Sequence, residues 1–260
     1  MLHHEISGNG KKPLVLLHGF MENTTIWNEM EAHLSKDFTL IKIDLPGHGK
    51  SKVYQEIHTV ELMAEKVKEV IDALKLEKIN LLGHSLGGYV SLAFAEKFPE
   101  ILESMTLFFS TTLADDEEKK AIRRRSIAII DENFETFVKT SIPNLFSNNE
   151  KDILEGKIEL AKNIAKSTNK EGVKAAQLGM AERPDRTEIL ENLDAKILII
   201  AGKYDNAVKT ENLLKTIPEK TNIKTYVLDC GHNGHWEKPT ICAEIINTEL
   251  FHNLPKHFLL

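Results

Sequence analysis

Short apolar runs alternate with longer amphipathic segments through the first half of this chain, and this alternation constrains the fold more than any other feature. Apolar runs predict buried strands at Leu14–Leu17, Leu40–Leu45, Ile79–Leu82 and Met105–Phe109. Strands that alternate with helices predict crossover units, and crossover units predict a mostly parallel sheet flanked by helices. The predicted fold class is therefore α/β.

The segments between these strands show helical spacing. Within Thr59–Leu76 the apolar residues follow one helix face, at Leu62, Met63, Val67, Val70, Ile71 and Leu74. A second helix is predicted at Leu86–Lys97. Phe98 and Pro99 end it, because a residue that precedes proline disfavours the helical conformation.

The pattern changes between residues 111 and 190. This stretch shows no convincing strand and carries apolar residues at helical spacing, which predicts three or four helices. Its consecutive arginines, Arg123–Arg125, are interpreted as a solvated helix face rather than an anion site. The sheet pattern then resumes, with a strand at Lys196–Ala201, a helix at Lys209–Thr216, a strand at Lys224–Leu228 and a closing helix at Pro239–Leu254.

These boundaries predict an α/β core made of residues 1–110 and 191–260, interrupted by a helical lid insertion at residues 111–190. The sequence shows neither an internal repeat nor a low-complexity linker at the junctions. The insertion is therefore expected to cover the same domain rather than form an independent module.

Composition excludes several other classes of protein. The chain has 260 residues and a net charge of −6 without a long basic tract, which argues against nucleic-acid and membrane partners. No apolar stretch approaches the length of a membrane span, and the first residues do not resemble a signal peptide. Two cysteines, Cys230 and Cys242, do not make a disulfide framework, so a reducing, cytoplasmic location is expected. The oligomeric state does not follow from the sequence.

The segment Gly83-His84-Ser85-Leu86-Gly87 carries the main chemical signal. It directly follows the predicted strand and directly precedes the predicted helix Leu86–Lys97. Gly-x-Ser-x-Gly in that context predicts a nucleophile elbow, a sharp turn that exposes the serine hydroxyl at the carboxyl edge of the sheet. The flanking glycines are expected because side chains at those positions would collide with the turn.

A serine hydroxyl needs a base to become a good nucleophile. Of the 11 histidines, His3, His4 and His257 lie near the chain ends, where solvent exposure is expected. His232 and His235 follow the predicted strand Lys224–Leu228, and His232 is favoured because it is nearer the strand end. A metal site at this His-x-x-His pair is not expected, because no further ligand stands at a recognised spacing.

The imidazole in turn needs an orienting carboxylate. Asp205 follows the strand Lys196–Ala201 and is favoured over Asp229, whose strand also carries the base. Backbone amides must then stabilise the tetrahedral oxyanion. The predicted donors are the amides of Leu86 and Phe20, with Met21 as the alternative to Phe20.

These residues together resemble the α/β-hydrolase superfamily, in particular carboxylesterase-like serine hydrolases with a helical lid. The resemblance extends over nearly the whole chain and rests on the turn HGF at 18–20, DLPGHGKS at 44–51, the elbow, GKYD at 202–205, and Gly231-His232 followed by Glu237 and Pro239. It implies a lid over an acyl pocket, with Phe134, Phe137, Phe146 and Met180 as candidate pocket residues. Gly49-Lys50-Ser51 lacks the first glycine of a phosphate-binding loop, so nucleotide binding is not expected.

The expected function is hydrolysis of a small carboxylic ester or thioester through an acyl-enzyme on Ser85, without a cofactor. Two alternatives remain open at this point. One is a small-molecule sensor that keeps the fold and the triad. The other is a hydrolase of carbon–carbon bonds, which Asn233 disfavours because such enzymes often carry an aromatic residue after the catalytic histidine.

Overall fold

The computed structural model describes residues 1–251, which fold around a seven-stranded sheet. Its strands are β1 (His4–Ser7), β2 (Lys12–Leu17), β3 (Phe38–Ile43), β4 (Ile79–His84), β5 (Leu102–Phe108), β6 (Lys196–Gly202) and β7 (Ile223–Leu228). They lie in the order β1-β3-β2-β4-β5-β6-β7. Strand β1 is antiparallel to β3, and every other neighbouring pair is parallel. The predicted mostly parallel α/β sheet is confirmed.

Helices cover both faces of this sheet. In chain order they are α1 (Asn28–Leu34), α2 (Val60–Ala73), α3 (Leu86–Lys97), α4 (Glu117–Ser141), α5 (Glu155–Ser167), α6 (Lys170–Glu182), α7 (Glu188–Asn192), α8 (Thr210–Leu214), α9 (Gly234–Glu237) and α10 (Pro239–Ile246). Two apolar clusters, one on each side of the sheet, join the strands to the helices. No helix within residues 1–251 is long and apolar enough to cross a membrane.

The sequence analysis does not predict β1 or α1. Strand β1 has four residues, of which none is fully buried, so it shows no apolar run. Helix α1 has seven residues and buries only Met30 and Leu34, which is too short for a periodic signal. His4 is half-buried in β1, and the expectation that it lies in solvent is wrong.

The closing helix is shorter than predicted. Helix α10 ends at Ile246 and continues as a π-helical turn over Asn247–Phe251. The last residues of the predicted helix and His257 lie outside the described residues.

The segment between β5 and β6 contains α4 to α7 and, in its described residues, no strand. Helix α4 bends at Asn133, whose backbone is non-helical and whose side chain accepts from the Thr136 amide at 2.9 Å. Asp116 and Asn169 cap the N-termini of α4 and α6, and such caps contribute about 1 kcal/mol each. The division of the chain at residues 111 and 190 into core and lid stays a prediction.

Strand order positions the functional edge of the sheet. After β2 the chain adds β3 on one side and then β4 on the other, so β2 and β4 are neighbours. A crevice forms at the carboxyl ends of the strands where the direction of winding reverses. The loops that follow β2, β4, β6 and β7 therefore meet at one edge.

Helix α6 reaches this edge through direct backbone contact. A Cβ atom on Gly179 would lie 1.8 Å from the carbonyl oxygen of His58, and one on Gly172 would lie 2.2 Å from the carbonyl oxygen of Gly47. Glycine is therefore required at both positions for α6 to approach the loops of the core.

We expect Gly179→Ala to destabilise the protein by about 2 kcal/mol, because the added methyl group collides with a carbonyl that cannot move freely. Gly156→Ala is the matched control. Gly156 lies in α5 with nothing within 4 Å of the added atom, so this change should stabilise by up to about 1 kcal/mol. Urea unfolding of both variants measures the difference, and equal effects would contradict the proposed close approach.

Candidate active site

Ser85 stands on the turn between β4 and α3. Its backbone has φ 49° and ψ −110°, a conformation that residues other than glycine rarely adopt. The Ser85 amide donates to the Phe108 carbonyl at 3.0 Å. The Ser85 carbonyl accepts from the Gly88 amide at 2.9 Å and from the Ser110 hydroxyl at 2.8 Å. These bonds hold the strand–turn–helix geometry that the sequence predicts.

The glycines around Ser85 are required by contact. A Cβ atom on Gly83 would lie 2.1 Å from the Gly87 carbonyl oxygen, and one on Gly87 would lie 2.3 Å from the Leu17 carbonyl oxygen. The prediction that side chains at these positions would collide with the turn is confirmed. Because Leu17 ends β2, the same contacts press the elbow against the neighbouring loop.

His232 and Asp205 form a buried pair at the same edge. Asp205 Oδ2 lies 2.7 Å from His232 Nδ1, and both side chains are almost inaccessible to solvent. Asp205 Oδ1 accepts from the amides of Ala207 and Val208 at 2.8 Å each, which fixes the carboxylate. The structure thus brings together the two residues that the sequence analysis favours as base and orienting acid.

Asp229, the alternative carboxylate, lies elsewhere. Its side chain is 75% exposed and pairs with Lys203 at 3.2 Å. It has no contact with His232 among the described hydrogen bonds and ion pairs.

Ser85 and His232 line the same cavity. Among the described residues no hydrogen bond joins Ser85 Oγ to the His232 ring, whose Nδ1 is occupied by Asp205. Catalytic hydrogen bonds are often long in the absence of substrate and shorten when it binds. The site therefore holds a formed His–Asp pair and a serine on a shared wall.

Glu237 organises the loop that carries His232. Its carboxylate accepts hydrogen bonds from the amides of the two residues that flank His232, Gly231 at 2.8 Å and Asn233 at 3.1 Å. It also accepts the Ser147 amide at 3.1 Å. Burial raises the pKa of Glu237, although these three amides favour its charged form. The family resemblance points to Glu237, but only the structure shows this contact role.

The turn after β2 contributes residues to the cavity lining. Phe20 and Met21 line the cavity with Ser85, and within the described residues the Phe20 amide makes no hydrogen bond to the protein. Leu86 begins α3, where first-turn amides lack helical partners. Met21, the alternative donor, has φ 58° in the same turn. Phe20 thus lines the same cavity as Ser85, and Leu86 is the residue that follows Ser85.

The cavity has a volume of about 800 Å³ and extends from Ser85 to the inserted helices. Of the predicted pocket residues, Phe137 and Met180 line it. Phe134 and Phe146 are absent from this lining: Phe134 is partly buried against an apolar cluster, and the buried Phe146 stacks on Trp236.

An ionic group lies in the cavity wall. Asp115 accepts from Arg123 Nε at 2.5 Å and from Arg183 Nη2 at 2.8 Å, and Arg123 also donates to Gln177 at 3.0 Å. The interpretation of Arg123 as part of a solvated face is therefore wrong, because packing against α6 turns it inward. Arg124 and Arg125 are exposed as expected.

A second ionic cluster is made of the buried residues Glu22, His84 and His235, of which Glu22 and His84 also line the cavity. Its oxygen and nitrogen atoms fall within 4.8 Å of one another, the one such group with metal-like spacing in residues 1–251. Glu22 Oε2 accepts from the Gly19 amide at 2.6 Å and lies 2.8 Å from His84 Nδ1, whereas neither ring nitrogen of His235 has a hydrogen-bond partner among the described residues. No sequence pattern marks Glu22, because its partner is 62 residues away.

The chain matches the family model of the alpha/beta hydrolase fold over residues 12–239 and belongs to this family. A thermophilic esterase from Thermogutta terrifontis, solved with malate bound, is 33% identical, with a TM-score of 0.89 over 96% of this chain and 92% of that one. A 2-hydroxy-6-oxononadienedioate/2-hydroxy-6-oxononatrienedioate hydrolase from Escherichia coli is 27% identical over 249 residues, 91% of this chain and 86% of that protein.

The fold is also that of an enol-lactonase from Burkholderia xenovorans. That structure has a TM-score of 0.87 and 22% identity and covers 96% of each chain. The predicted hydrolase family and its fold are thus confirmed.

We expect Asp115→Asn to lower the free energy of unfolding by about 3 kcal/mol at pH 7, because it leaves two arginines with one neutral partner. The two arginines outweigh burial and lower the pKa of Asp115 to about 2, below its unfolded value near 3.9. Its contribution is therefore complete above about pH 4 and is lost as the pH falls towards 2.

Urea unfolding at pH 7 and at pH 2.5 measures this effect. The difference in the free energy of unfolding between Asp115→Asn and the wild type should be smaller at the lower pH. The exposed Glu117, which pairs with Lys120, provides the matched control Glu117→Gln, for which no change is expected. If this difference in the free energy of unfolding does not change with pH, the stabilising role assigned to the Asp115 charge is contradicted.

Proposed function

We propose that this protein hydrolyses a small carboxylic ester or thioester, with Ser85 as nucleophile, His232 as base and Asp205 as the acid that orients it. One observation carries the proposal: Ser85 in its left-handed elbow and His232 line one cavity, and Asp205 pairs with His232 at 2.7 Å. Five backbone amides support the proposal. Two donate hydrogen bonds to Asp205, and three donate hydrogen bonds to Glu237, which fixes the loop of His232.

The reaction would proceed in two proton-balanced halves. Ser85 Oγ attacks the acyl carbon as its proton passes to His232 Nε2. The resulting oxyanion accepts hydrogen bonds from the amides of Leu86 and Phe20. The tetrahedral intermediate collapses, and the imidazolium gives its proton to the departing alcohol or thiol. Water then attacks the acyl-serine by the reverse path and releases the carboxylic acid.

A serine nucleophile and the esterase relative favour ester cleavage. The Escherichia coli relative supports a second candidate, cleavage of a carbon–carbon bond, since its printed name describes a hydrolase of an oxo-dienedioate. Both reactions would use the same serine and the same amides. Turnover of esters and of vinylogous 1,5-diketones by the same preparation separates them.

We also propose a reducing, cytoplasmic location. Cys230 and Cys242 are both free and buried, and burial raises the pKa of each thiol. A thiol that stays protonated is a weak nucleophile, so neither is expected to react while the protein is folded.

We expect Ser85→Ala to abolish turnover of short nitrophenyl esters and Asp205→Asn to lower kcat by about 10,000-fold, because the amide holds the wrong imidazole tautomer. Asp229→Asn is the matched control, since it makes the same change at an exposed carboxylate, and it should keep wild-type kcat. Circular dichroism checks that each variant folds.

Two outcomes would contradict this assignment. One is loss of activity in Asp229→Asn with retention in Asp205→Asn. The other is tight binding of esters by the wild type with turnover near the background rate, which would favour the sensor alternative.

The cavity wall suggests a preference within this substrate class. Arg123 and Arg183 both donate to Asp115, and Arg123 Nη2 has no hydrogen-bond partner among the described residues. We propose that it receives a carboxylate of the substrate, as the dicarboxylate named for the Escherichia coli relative would provide.

We expect Arg123→Gln to lower kcat/KM about tenfold for nitrophenyl half-esters of dicarboxylic acids, because a charge-assisted hydrogen bond is lost. Turnover of the neutral ester of the same length should change less than about twofold. Arg124→Gln, on the exposed side of α4, is the control. Equal losses for charged and neutral esters would overturn the preference.

A further inference from the structure

We propose that the ion pair between Glu22 and His84, here called the brace, positions the oxyanion turn and the loop of the catalytic base relative to Ser85. The inference rests on the proposed function for its kinetic consequence. Both side chains border the same cavity as Ser85, but neither takes part in the proposed proton transfers, so their role is that of positioning residues.

One imidazole ring joins three segments. His84 precedes Ser85 in the elbow. Its Nδ1 lies 2.8 Å from Glu22 Oε2, and its Nε2 lies 3.0 Å from the main-chain oxygen of His232. The ring therefore links the end of β4 to the turn after β2 and to the loop after β7.

The proton count at this ring assigns its charge. A carboxylate and a main-chain carbonyl both accept hydrogen bonds, and neither donates. Both ring nitrogens of His84 must therefore carry protons, which makes the ring an imidazolium. Burial opposes this charge, but Glu22 outweighs burial and raises the pKa of His84. The same contact lowers the pKa of Glu22 to about 2 against the effect of its own burial.

Glu22 passes this restraint to the oxyanion turn. The oxygen that faces His84 also accepts the Gly19 amide at 2.6 Å. A Cβ atom on Gly19 would lie 2.7 Å from both Glu22 Oε2 and His84 Nδ1, so the turn packs directly on the brace. Phe20, whose amide is the proposed second oxyanion donor, is the next residue. The brace holds the peptide unit directly before the one that carries the Phe20 N–H, so it restrains this donor through Gly19.

The groups around the brace are consistent with one positive charge. His235 Nε2 lies 3.7 Å from Glu22 Oε1, and its ring centroid lies 4.7 Å from that of His84. Complete burial and the charge of His84 hold the pKa of His235 well below its usual range, so it is neutral. His18, His232 and Asp205 are the other titratable groups that act on Glu22 or His84.

We expect Glu22→Gln to lower kcat about 100-fold for a nitrophenyl ester, because a displaced oxyanion donor is lost from the transition state. KM should change less than about threefold, since the ground-state carbonyl depends little on that donor. Glu31→Gln is the matched control. It removes the carboxylate charge from a different ion pair, Glu31–Lys42 at 2.7 Å, that lies outside the cavity lining, and it should keep wild-type kcat.

The pH profile separates this role from simple loss of structure. In the wild type, the brace is intact below the raised pKa of His84 and is lost as the pH rises through that pKa. The pH profile of kcat should therefore fall on its alkaline limb. In Glu22→Gln, buried His84 has no counter-charge and is neutral across the same range. The variant should therefore lack this alkaline limb, whereas a merely unstable variant would keep it.

Nitrogen-15 spectroscopy of histidine-labelled wild type at pH 7 tests the brace without any substrate. His84, assigned by the signal that disappears in His84→Gln, should show two ring N–H correlations, and His235 should show one or none. This measurement uses the wild type, so it still tests the brace if Glu22→Gln does not fold. It also stands if ester turnover fails, so that the two proposals fail separately.

Three results would overturn the inference. The first is a His84 ring with a single N–H at pH 7. The second is wild-type kcat in folded Glu22→Gln. The third is a stoichiometric divalent metal in the purified protein whose removal by a chelator abolishes activity, because a metal-bound Nδ1 cannot carry the proton that the brace requires.

Discussion

Ser85 holds a left-handed backbone conformation at the point where the central strand β4 becomes α3. Such a conformation costs about 1–3 kcal/mol and persists only where the surrounding structure determines it. Here the Ser85 amide and carbonyl bond to β5, to α3 and to the Ser110 hydroxyl, and glycines on either side let the turn close against β2. The position of every other group in the site is defined relative to this turn. The elbow is in this sense the constraint on which the functional edge depends.

The parallel arrangement of the strands brings the other groups of the site together. Because their carboxyl ends share one edge, residues far apart in the chain meet there without a dedicated scaffold. Asp205 follows β6 and His232 follows β7, and these strands are neighbours, so the two side chains pair at 2.7 Å. The turn after β2 lies beside the elbow for the same reason. The winding reversal between β2 and β4 leaves a crevice, and residues of α4 and α6 line the cavity there together with Ser85.

Buried carboxylates fix the loops at this edge. Glu237 holds the loop of His232 through three amides, Glu22 holds the turn after β2, and Asp115 holds α4 to the chain after α6 through two arginines. A buried charge is costly unless it is paired and hydrogen-bonded, so each of these groups is multiply satisfied. The net benefit lies in geometry more than in stability, because a carboxylate with several fixed donors tolerates only one loop arrangement.

The sequence by itself determined the α/β class, the strands from β2 to β7, the elbow, and the choice of Asp205 and His232, because strand periodicity and turn chemistry depend on neighbours within a few residues. It missed β1 and α1, which are too short to show a period. Tertiary structure alone decided that Phe137 faces the cavity while Phe134 does not, that Arg123 turns inward, and that Glu22 meets His84. Those outcomes depend on which loops converge, and convergence is set by strand order and by the packing of whole helices. No local pattern of residues encodes a partner that lies 62 positions away.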